Sequence, residues 1–147
     1  MKNKLDDSVG FLLNDVARRM RWNFDNQAQS LGLTRAQWSV LAHLKWNDGV
    51  KQTTLARKMD IKPITLGRHI DRLEQEGWVE RRDDPEDRRA KRLFLTPKAT
   101  PKLKQLRKLG EKVSQQTLQG IDKKEEAKLL DILRRMRGNL AQACGEN

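Results

Sequence analysis

The sequence predicts a mainly α-helical chain with one small β-hairpin. Apolar residues recur at helical spacing through most of the 147 residues, a pattern typical of amphipathic helices. Residues 78–82 and 92–96 instead have the composition of strands, and a polar, turn-rich segment separates them. The formal net charge is +11, and residues 81–108 carry eleven Lys and Arg side chains against four Asp and Glu side chains. This local excess favours a binding site for an anionic partner such as nucleic acid.

The first two helices are predicted from their ends as well as from their apolar spacing. The first covers residues 6–31, and Gly32 is expected to stop it because glycine tolerates the left-handed backbone at a helix C-terminus. The second is predicted to open at Thr34, since Gln37 follows three residues later in the spacing of a capping box. It should end near the turn sequence at 47–49.

Two further helices, at about 53–59 and 63–76, are separated by only three residues, which is typical of a helix-turn-helix. Pro63 is predicted at a first helical position, where its missing amide hydrogen costs nothing. Gly77 is expected to cap the same helix in the left-handed conformation. The residues that should be buried are Leu55, Ala56 and Met59 in the third helix and Leu66, Ile70 and Leu73 in the fourth.

After the hairpin the chain is predicted to return to helix. Thr96 and Pro97 are expected to be the N-cap and the first-turn residue of a fifth helix that continues to about residue 119. A sixth helix should begin at Asp122, which precedes Glu125 in capping-box spacing. The order of elements therefore predicts a winged helix-turn-helix with flanking helices, in which the hairpin is the wing.

The solvent-facing side of the fourth helix is predicted to read the major groove of duplex DNA, which is wide enough to admit a helix. Arg68 has the chemistry for two hydrogen bonds to guanine, and Arg72 is expected to meet phosphate or an acidic neighbour. The alternative is an ordinary amphipathic surface helix. The candidate DNA-binding residues of this helix are Thr65, Arg68, His69 and Arg72.

The tip of the hairpin is a second candidate DNA-binding element. Residues 87–92 place four cations around a turn, and an arginine at a loop tip can enter a narrow minor groove, where the negative potential is strongest. Asp87 is expected to orient a wing arginine through a charge-assisted hydrogen bond. The alternative is a solvated charged loop. The candidate contacts are Arg88, Arg89 and Lys91.

Residues 81–99 resemble the wing and the start of the following helix in MarR family regulators. The run Asp-Arg-Arg-Ala-Lys-Arg at 87–92 and the pattern Leu-Thr-x-Lys-Ala at 95–99 are similar to the SlyA branch of that family. The segments at 33–38 and 71–77 match the family as well. The resemblance implies a sequence-specific transcriptional regulator that binds palindromic duplex DNA as a homodimer.

The resemblance also implies how one MarR-type domain over residues 1–147 is divided. Residues 34–96 would form the DNA-binding lobe, and residues 5–31 and 97–144 would form the helical dimerisation lobe. Arg88 and Arg89 match wing positions that contact the minor groove.

Many members of the family repress their targets and are released by a small phenolic or aromatic acid, and the resemblance implies the same for this chain. The matching positions are Arg18, Arg21 and Trp38, which would supply two cations for a carboxylate and an aromatic plate for a ring. The alternative is that Trp38 belongs to the core and that both arginines are surface or salt-bridge residues. Other members activate transcription, so the sign of regulation stays open.

Several other classes of protein are disfavoured. The single cysteine, Cys144, cannot form an internal disulfide, and the first helix lacks the cysteine of peroxide-sensing relatives. His43 and His69 have no metal-ligand partner at helical spacing, and no phosphate loop is present, so neither an enzyme, a metal nor a cofactor is expected. No apolar stretch is long enough for a membrane span, which favours a cytoplasmic protein that joins the nucleoid when bound to DNA. A nonspecific nucleoid or RNA-binding protein would explain the charge but not the order of elements.

Overall fold

A computed structural model describes residues 7–145 of the chain. The chain divides into two compact units, of which the first ends at Glu111 and the second begins at Lys112. Short 3-10 turns at Gln29–Leu31 and Pro97–Ala99 precede α2 and α5. The main elements are α1 Val9–Ala28, α2 Arg35–Trp46, β1 Val50–Lys51, α3 Gln52–Lys58, α4 Pro63–Gln75, β2 Val79–Asp83, β3 Lys91–Leu95, α5 Thr100–Thr117 and α6 Lys123–Ala143.

The predicted boundaries of the first two helices are largely confirmed. α1 ends at Ala28, and Gly32 ends the 3-10 turn that follows it with a φ of 71°, in the left-handed region that favours glycine. At the start of α2, the main-chain amide of Gln37 donates to Thr34 Oγ1 over 3.3 Å, and the amide of Thr34 donates to Gln37 Oε1 over 3.0 Å. The predicted capping box is therefore present. The first helix begins at Val9 and is shorter than predicted, while positions 5 and 6 of the predicted lobe and helix lie outside the described residues.

The hairpin is part of a three-stranded antiparallel sheet with the order β1-β3-β2. The pairing of β2 with β3 runs from Val79 opposite Leu95 to Asp83 opposite Lys91, so each strand is displaced by one residue from the predicted segment. The edge strand β1, in which Val50 lies opposite Leu93, was not predicted. Two residues are too few for the alternating pattern by which a strand is recognised.

The core of the first unit lies between the helix-turn-helix and the sheet. The predicted stripe on α4 is confirmed, since Leu66, Ile70 and Leu73 are fully buried. Met59 was predicted to be buried with them but is only half-buried, because it is the C-cap residue of α3 rather than part of the helix. The other fully buried large side chains of this core are Val40, Leu41, Leu44, Leu55, Val79 and Leu93.

The start of the fifth helix differs from the prediction. Thr96 Oγ1 makes no capping bond and instead donates to the main-chain oxygen of Gly77 over 2.5 Å. Pro97 opens a 3-10 turn, and α5 itself begins at Thr100. The predicted capping box of α6 is confirmed, because Asp122 Oδ1 accepts from the amides of the next turn. None of the helices within residues 7–145 combines the length and apolar character needed to cross a bilayer.

Leu66→Ala should lower the free energy of unfolding by about 2–5 kcal/mol, because it leaves a cavity in the close-packed core. Ile64→Ala, two residues away on the exposed side of α4, is the matched control and should change stability by less than about 0.5 kcal/mol. Urea denaturation followed by circular dichroism measures both values. Equal losses would contradict the burial pattern of α4.

Candidate nucleic-acid interface

The polar face of α4 lies opposite its buried stripe and carries the four predicted residues. Thr65, Arg68 and Arg72 are exposed, and His69 is half-buried. Within the described part of the chain, the guanidiniums of Arg68 and Arg72 form no hydrogen bond and no ion pair. Arg72 therefore does not have the acidic partner that was one of its two expected roles. Both side chains are available to an external anion.

Ile64 is a further exposed residue on this face that sequence reasoning missed. It is the second residue of α4, and 68% of its surface is accessible. An exposed isoleucine beside the candidate base-reading arginine is chemically suited to the methyl group of thymine, which is an apolar feature of the major groove. Its position outside the i, i+4, i+7 stripe was the available signal, since an apolar residue there has no core to enter.

The wing tip is a hydrogen-bonded turn between β2 and β3. The amide of Asp87 donates to the main-chain oxygen of Asp84 over 3.3 Å, and the amide of Ala90 donates to that of Asp87 over 2.9 Å. Arg88 and Arg89 are exposed at this turn, and among the described residues no carboxylate pairs with either side chain. The backbone of the tip is thus held by hydrogen bonds, while no carboxylate among the described residues occupies the guanidiniums of Arg88 and Arg89.

Asp87 was expected to bind the side chain of a wing arginine. It contacts Arg89 instead through the main chain of that residue. Its Oδ1 accepts from the backbone amide of Arg89 over 3.0 Å. This is the geometry of an Asx turn, in which an aspartate side chain fixes the backbone two residues further on. Asp87 therefore orders the backbone at the tip and leaves the guanidinium of Arg89 unpaired.

The carboxylate that stabilises the point where β2 leads into the tip is Asp84, which is only 2% exposed. It accepts from the amide of Glu86 over 2.9 Å and from Arg92 Nε over 3.1 Å, and it lies 3.3 Å from Lys51 Nζ. The bond from the Glu86 amide is the main cause that holds the pKa of Asp84 below its ordinary value, and the Lys51 and Arg92 charges act in the same direction. Sequence reasoning missed this role, although an aspartate just before a proline is a turn signal.

Lys91 has an internal partner at the edge of the wing. Its ammonium group forms an ion pair with Asp83, which lies directly opposite it in the β2–β3 pairing. The ammonium is half-exposed, so DNA could contact it only in competition with Asp83. Among the wing residues predicted to bind DNA, the unpaired cations are therefore those of Arg88 and Arg89.

The structure places the predicted ligand residues in different surroundings. The ring of Trp38 is half-buried, its centroid lies 4.5 Å from that of Phe24, and its Nε1 donates to Asp25 over 2.8 Å. Arg18 is exposed and pairs with Asp15 at 2.5 Å, while Arg21 is exposed on the same helix. The pocket that Trp38 lines does not include Arg18 or Arg21 among its described lining residues.

Asp15 is an exposed anion between two arginines of α1. Its carboxylate accepts from Arg19 Nε over 2.7 Å as well as from Arg18. The hydrogen bond from Arg19, followed by that from Arg18, holds the pKa of Asp15 below its ordinary value. A ligand carboxylate at Arg18 would therefore have to compete with a resident one.

A mainly apolar pocket of about 270 Å³ lies next to Trp38. Two cations, Lys45 and Arg107, stand at its wall, and Lys45 Nζ lies 5.3 Å from the ring centroid of Trp46, which is 80% exposed. Apolar walls with a few charged groups are typical of sites for small organic ligands. The lining residues are Phe24, Trp38, Ala42, Lys45, Trp46, Leu103, Leu106 and Arg107.

Comparison with known proteins agrees with the winged helix-turn-helix. The sequence model of the MarR family matches residues 33–91. The crystal structure of the transcriptional regulator PA3341 is 37% identical over 92% of this chain and 99% of that chain, with a TM-score of 0.81. The chain belongs to the MarR family.

Two other solved structures show how closely the fold matches. The crystal structure of MarR has a TM-score of 0.86 and 26% identity, and the match covers 100% of this chain and 99% of that chain. The transcriptional regulator SlyA has a TM-score of 0.75 and 28% identity over 89% of this chain and 92% of that one. The resemblance to MarR and SlyA regulators that was predicted from the wing motif is confirmed, and this MarR family protein is a transcriptional regulator.

The buried carboxylate of Asp84 should make the wing sensitive to acid. Because its pKa is lower in the folded than in the unfolded protein, its stabilising effect is complete above the ordinary value of 3.8 and is lost as the pH falls through the lowered value. Carboxyl-carbon NMR should give a titration midpoint below 3.8.

Asp84→Asn should accelerate hydrogen exchange in the wing already at neutral pH, since the amide cannot replace the carboxylate beside two cations. Asp83→Asn, which alters an exposed ion pair on the neighbouring residue, is the control and should have a smaller effect. A midpoint at or above the ordinary value would contradict the role given to Asp84.

Proposed function

We propose that this MarR family regulator recognises a palindromic DNA duplex in a sequence-specific manner, as a homodimer. The observation that carries the proposal is the pair of elements that present unpaired guanidiniums within one compact unit. Arg68 stands on the exposed face of α4, and Arg88 and Arg89 stand at the tip of the wing. A helix of this kind fits the major groove, and an arginine-tipped wing fits the minor groove beside it.

The roles proposed for individual residues follow from their exposure and chemistry. Arg68 reads guanine, Ile64 contacts a thymine methyl group, and Thr65 and His69 contact neighbouring base edges. Arg72, one turn further along α4, binds phosphate. Arg88 and Arg89 enter the minor groove, and Lys91 adds a weaker phosphate contact because Asp83 competes for it.

A nonspecific nucleic-acid binder is the second candidate, and the high net charge of +11 favours it. A nonspecific binder needs only positive charge. It would not explain why an exposed isoleucine lies beside an arginine at the start of α4. Competition binding distinguishes the two, since a specific regulator typically prefers its own site by about 10³–10⁷-fold over other DNA.

Arg68→Ala should weaken binding to a duplex selected from a random library by about 1–3 kcal/mol and should relax base preference at one position of each half-site. Fluorescence anisotropy with a set of single-base variants measures both effects. Arg134→Ala, which removes an exposed arginine from α6, is the charge-matched control and should leave the preference unchanged. A uniform loss over all sequences would make Arg68 a phosphate contact, and equal affinity of the unaltered protein for every duplex would favour the nonspecific binder.

The homodimer is proposed from apolar side chains that the single chain leaves exposed. These side chains lie on α1 and α6. Several exposed apolar residues close together on one helix are unusual in a monomeric protein. We propose that a second copy of the chain covers them, with residues 5–31 and 97–144 as the dimerisation lobe and 34–96 as the DNA-binding lobe. The exposed residues are Val9, Phe11, Leu12, Leu13 and Val16 on α1 and Leu129, Leu130, Ile132 and Leu140 on α6.

Leu129→Asp should raise the dissociation constant of the homodimer at least about tenfold, a cost of about 1.4 kcal/mol, because a charge would be placed in an apolar interface. Sedimentation velocity over a range of concentrations gives the constant. Lys128→Asp, on the neighbouring residue, is the control and should remain dimeric. A monomeric unaltered protein would exclude this interface.

We further propose that the protein is a repressor and that a small aromatic carboxylate or phenol releases it from DNA by binding the pocket beside Trp38. The apolar walls suit a ring, and Lys45 or Arg107 would meet the anionic group. Arg107 is partly neutralised, because its Nε lies 2.9 Å from Glu111. The participation of Arg18 and Arg21 stays a prediction, since neither lines this pocket within the protomer.

Benzoate and phenol are suitable probes of the pocket. Isothermal titration should detect binding that Ala42→Leu weakens at least about tenfold, since the larger side chain fills space that the ring would occupy and about 1.4 kcal/mol is then lost. Ala127→Leu, on the exposed surface of α6, is the matched control. Binding that survives in the Ala42→Leu variant would place the ligand elsewhere.

A further inference from the structure

Arg81 lies within the most basic segment of the chain, yet its charge is used internally. Its side chain is only 19% exposed, and Nη1 lies 2.6 Å from Asp71 Oδ1 and 3.2 Å from Glu74 Oε1. Its Nη2 donates to the main-chain oxygen of Gly67 over 3.0 Å, and its Nε donates to Gln52 Oε1 over 3.1 Å. One guanidinium thus joins the first strand of the wing to both helices of the helix-turn-helix.

The main chain of the same residue reinforces this connection. The amide of Arg81 donates to Glu74 Oε2 over 3.0 Å, so Glu74 receives both the backbone and the side chain of one residue. Arginine suits such a position because its planar fork presents five donors in a fixed geometry. A lysine at this position of β2 would carry the same charge, but without the fork it could not bind α3 and α4 at once.

The position of Arg81 along β2 determines how far the wing tip would move if this connection were lost. The loop after α4 holds the start of β2 covalently. Arg89 at the tip lies at most about 13 Å beyond Arg81, because it is four residues from Leu93, which is opposite Arg81, at about 3.3 Å per residue. Over that length, a tilt of about 5° would move the tip by about 1 Å. Displacements of that size are enough to break direct hydrogen bonds to DNA.

We propose that Arg81 is a positioning residue that sets the distance between the recognition helix and the wing tip, so that both reach their grooves together. The inference rests on the proposed function, because it assumes that Arg89 contacts the minor groove. Arg81 itself does not contact DNA. Its loss leaves each contact surface intact but uncouples the minor-groove contact from the major-groove contact.

A double-mutant cycle tests this directly. Arg89→Ala should weaken binding to the selected duplex about tenfold in the otherwise unaltered protein, a loss of about 1.4 kcal/mol. In the Arg81→Gln background the same substitution should weaken binding less than about twofold, since a displaced wing has already lost that contact. Arg82→Gln is the matched control, because this neighbouring side chain is 55% exposed and pairs with Glu80 and the Phe94 ring rather than with the helix-turn-helix. In that background the tenfold effect should persist.

The salt dependence of binding separates positioning from a phosphate contact. Loss of one phosphate contact reduces the magnitude of the slope of log K against log salt by about 0.9. Arg81→Gln should leave the slope unchanged when it is added to a variant that already lacks the wing cations Arg88, Arg89 and Lys91. Additive losses in the cycle, or a further reduction of about 0.9 when Arg81→Gln is added to that variant, would overturn the proposal.

Hydrogen exchange in the absence of DNA gives a readout that does not depend on the proposed function. Arg81→Gln should accelerate exchange of the β2 and β3 amides and of the wing tip, while the amides of α2 should keep their protection. Asp71→Asn, which removes one partner only, should give a smaller change of the same kind if Arg81→Gln proves too unstable to study. If Arg89→Ala has no effect in the unaltered protein, the proposed wing contact is wrong. Unchanged wing exchange would instead reject the coupling through Arg81.

Discussion

Leu66, Ile70 and Leu73 pack into the core together with side chains of α2 and β3, and this contact fixes the direction in which α4 presents its polar face. Burial of each large aliphatic side chain contributes roughly 1.5–3 kcal/mol. The recognition surface is the reverse side of the same helix, so its orientation is as rigid as the core that holds it. Without this burial the exposed arginines would be charges on a mobile segment.

The charges of the basic segment serve two purposes, and the structure separates them. Arg81, Lys91 and Arg92 form internal ion pairs, whereas Arg88 and Arg89 at the tip form none with any residue between 7 and 145. Two acidic residues of this segment are neutralised internally, since Asp83 pairs with Lys91 and Asp84 is buried beside Lys51 and Arg92. Glu86 and Asp87 are exposed beside Arg88 and Arg89, so DNA that approaches the tip would meet charges of both signs.

Local sequence patterns were sufficient wherever a structure depends on near neighbours. The capping boxes at Thr34 and Asp122 and the stripe on α4 each involve residues within a few positions, and all were predicted. The missed features depend on pairs that are distant in sequence. Gln52 and Arg81 are 29 positions apart, and Gly49 and Arg92 are 43 apart. No local pattern specifies such partners, which is why β1, Asp84 and Arg81 were not assigned their roles. Asp87 was expected to bind the side chain of a wing arginine, whereas it accepts from the main-chain amide of Arg89, because residue spacing does not distinguish an amide from a guanidinium.

The helix α2 has two working faces. Leu41 and Leu44 share the core with α4, and Trp38 and Ala42 on the adjacent side of α2 line the apolar pocket, where Trp38 also packs against the core. Close-packed interiors transmit small displacements rather than absorbing them. A ligand bound against Trp38 would therefore displace α2, and the shared core would transmit this displacement to α4. No segment would have to unfold for the recognition helix to move.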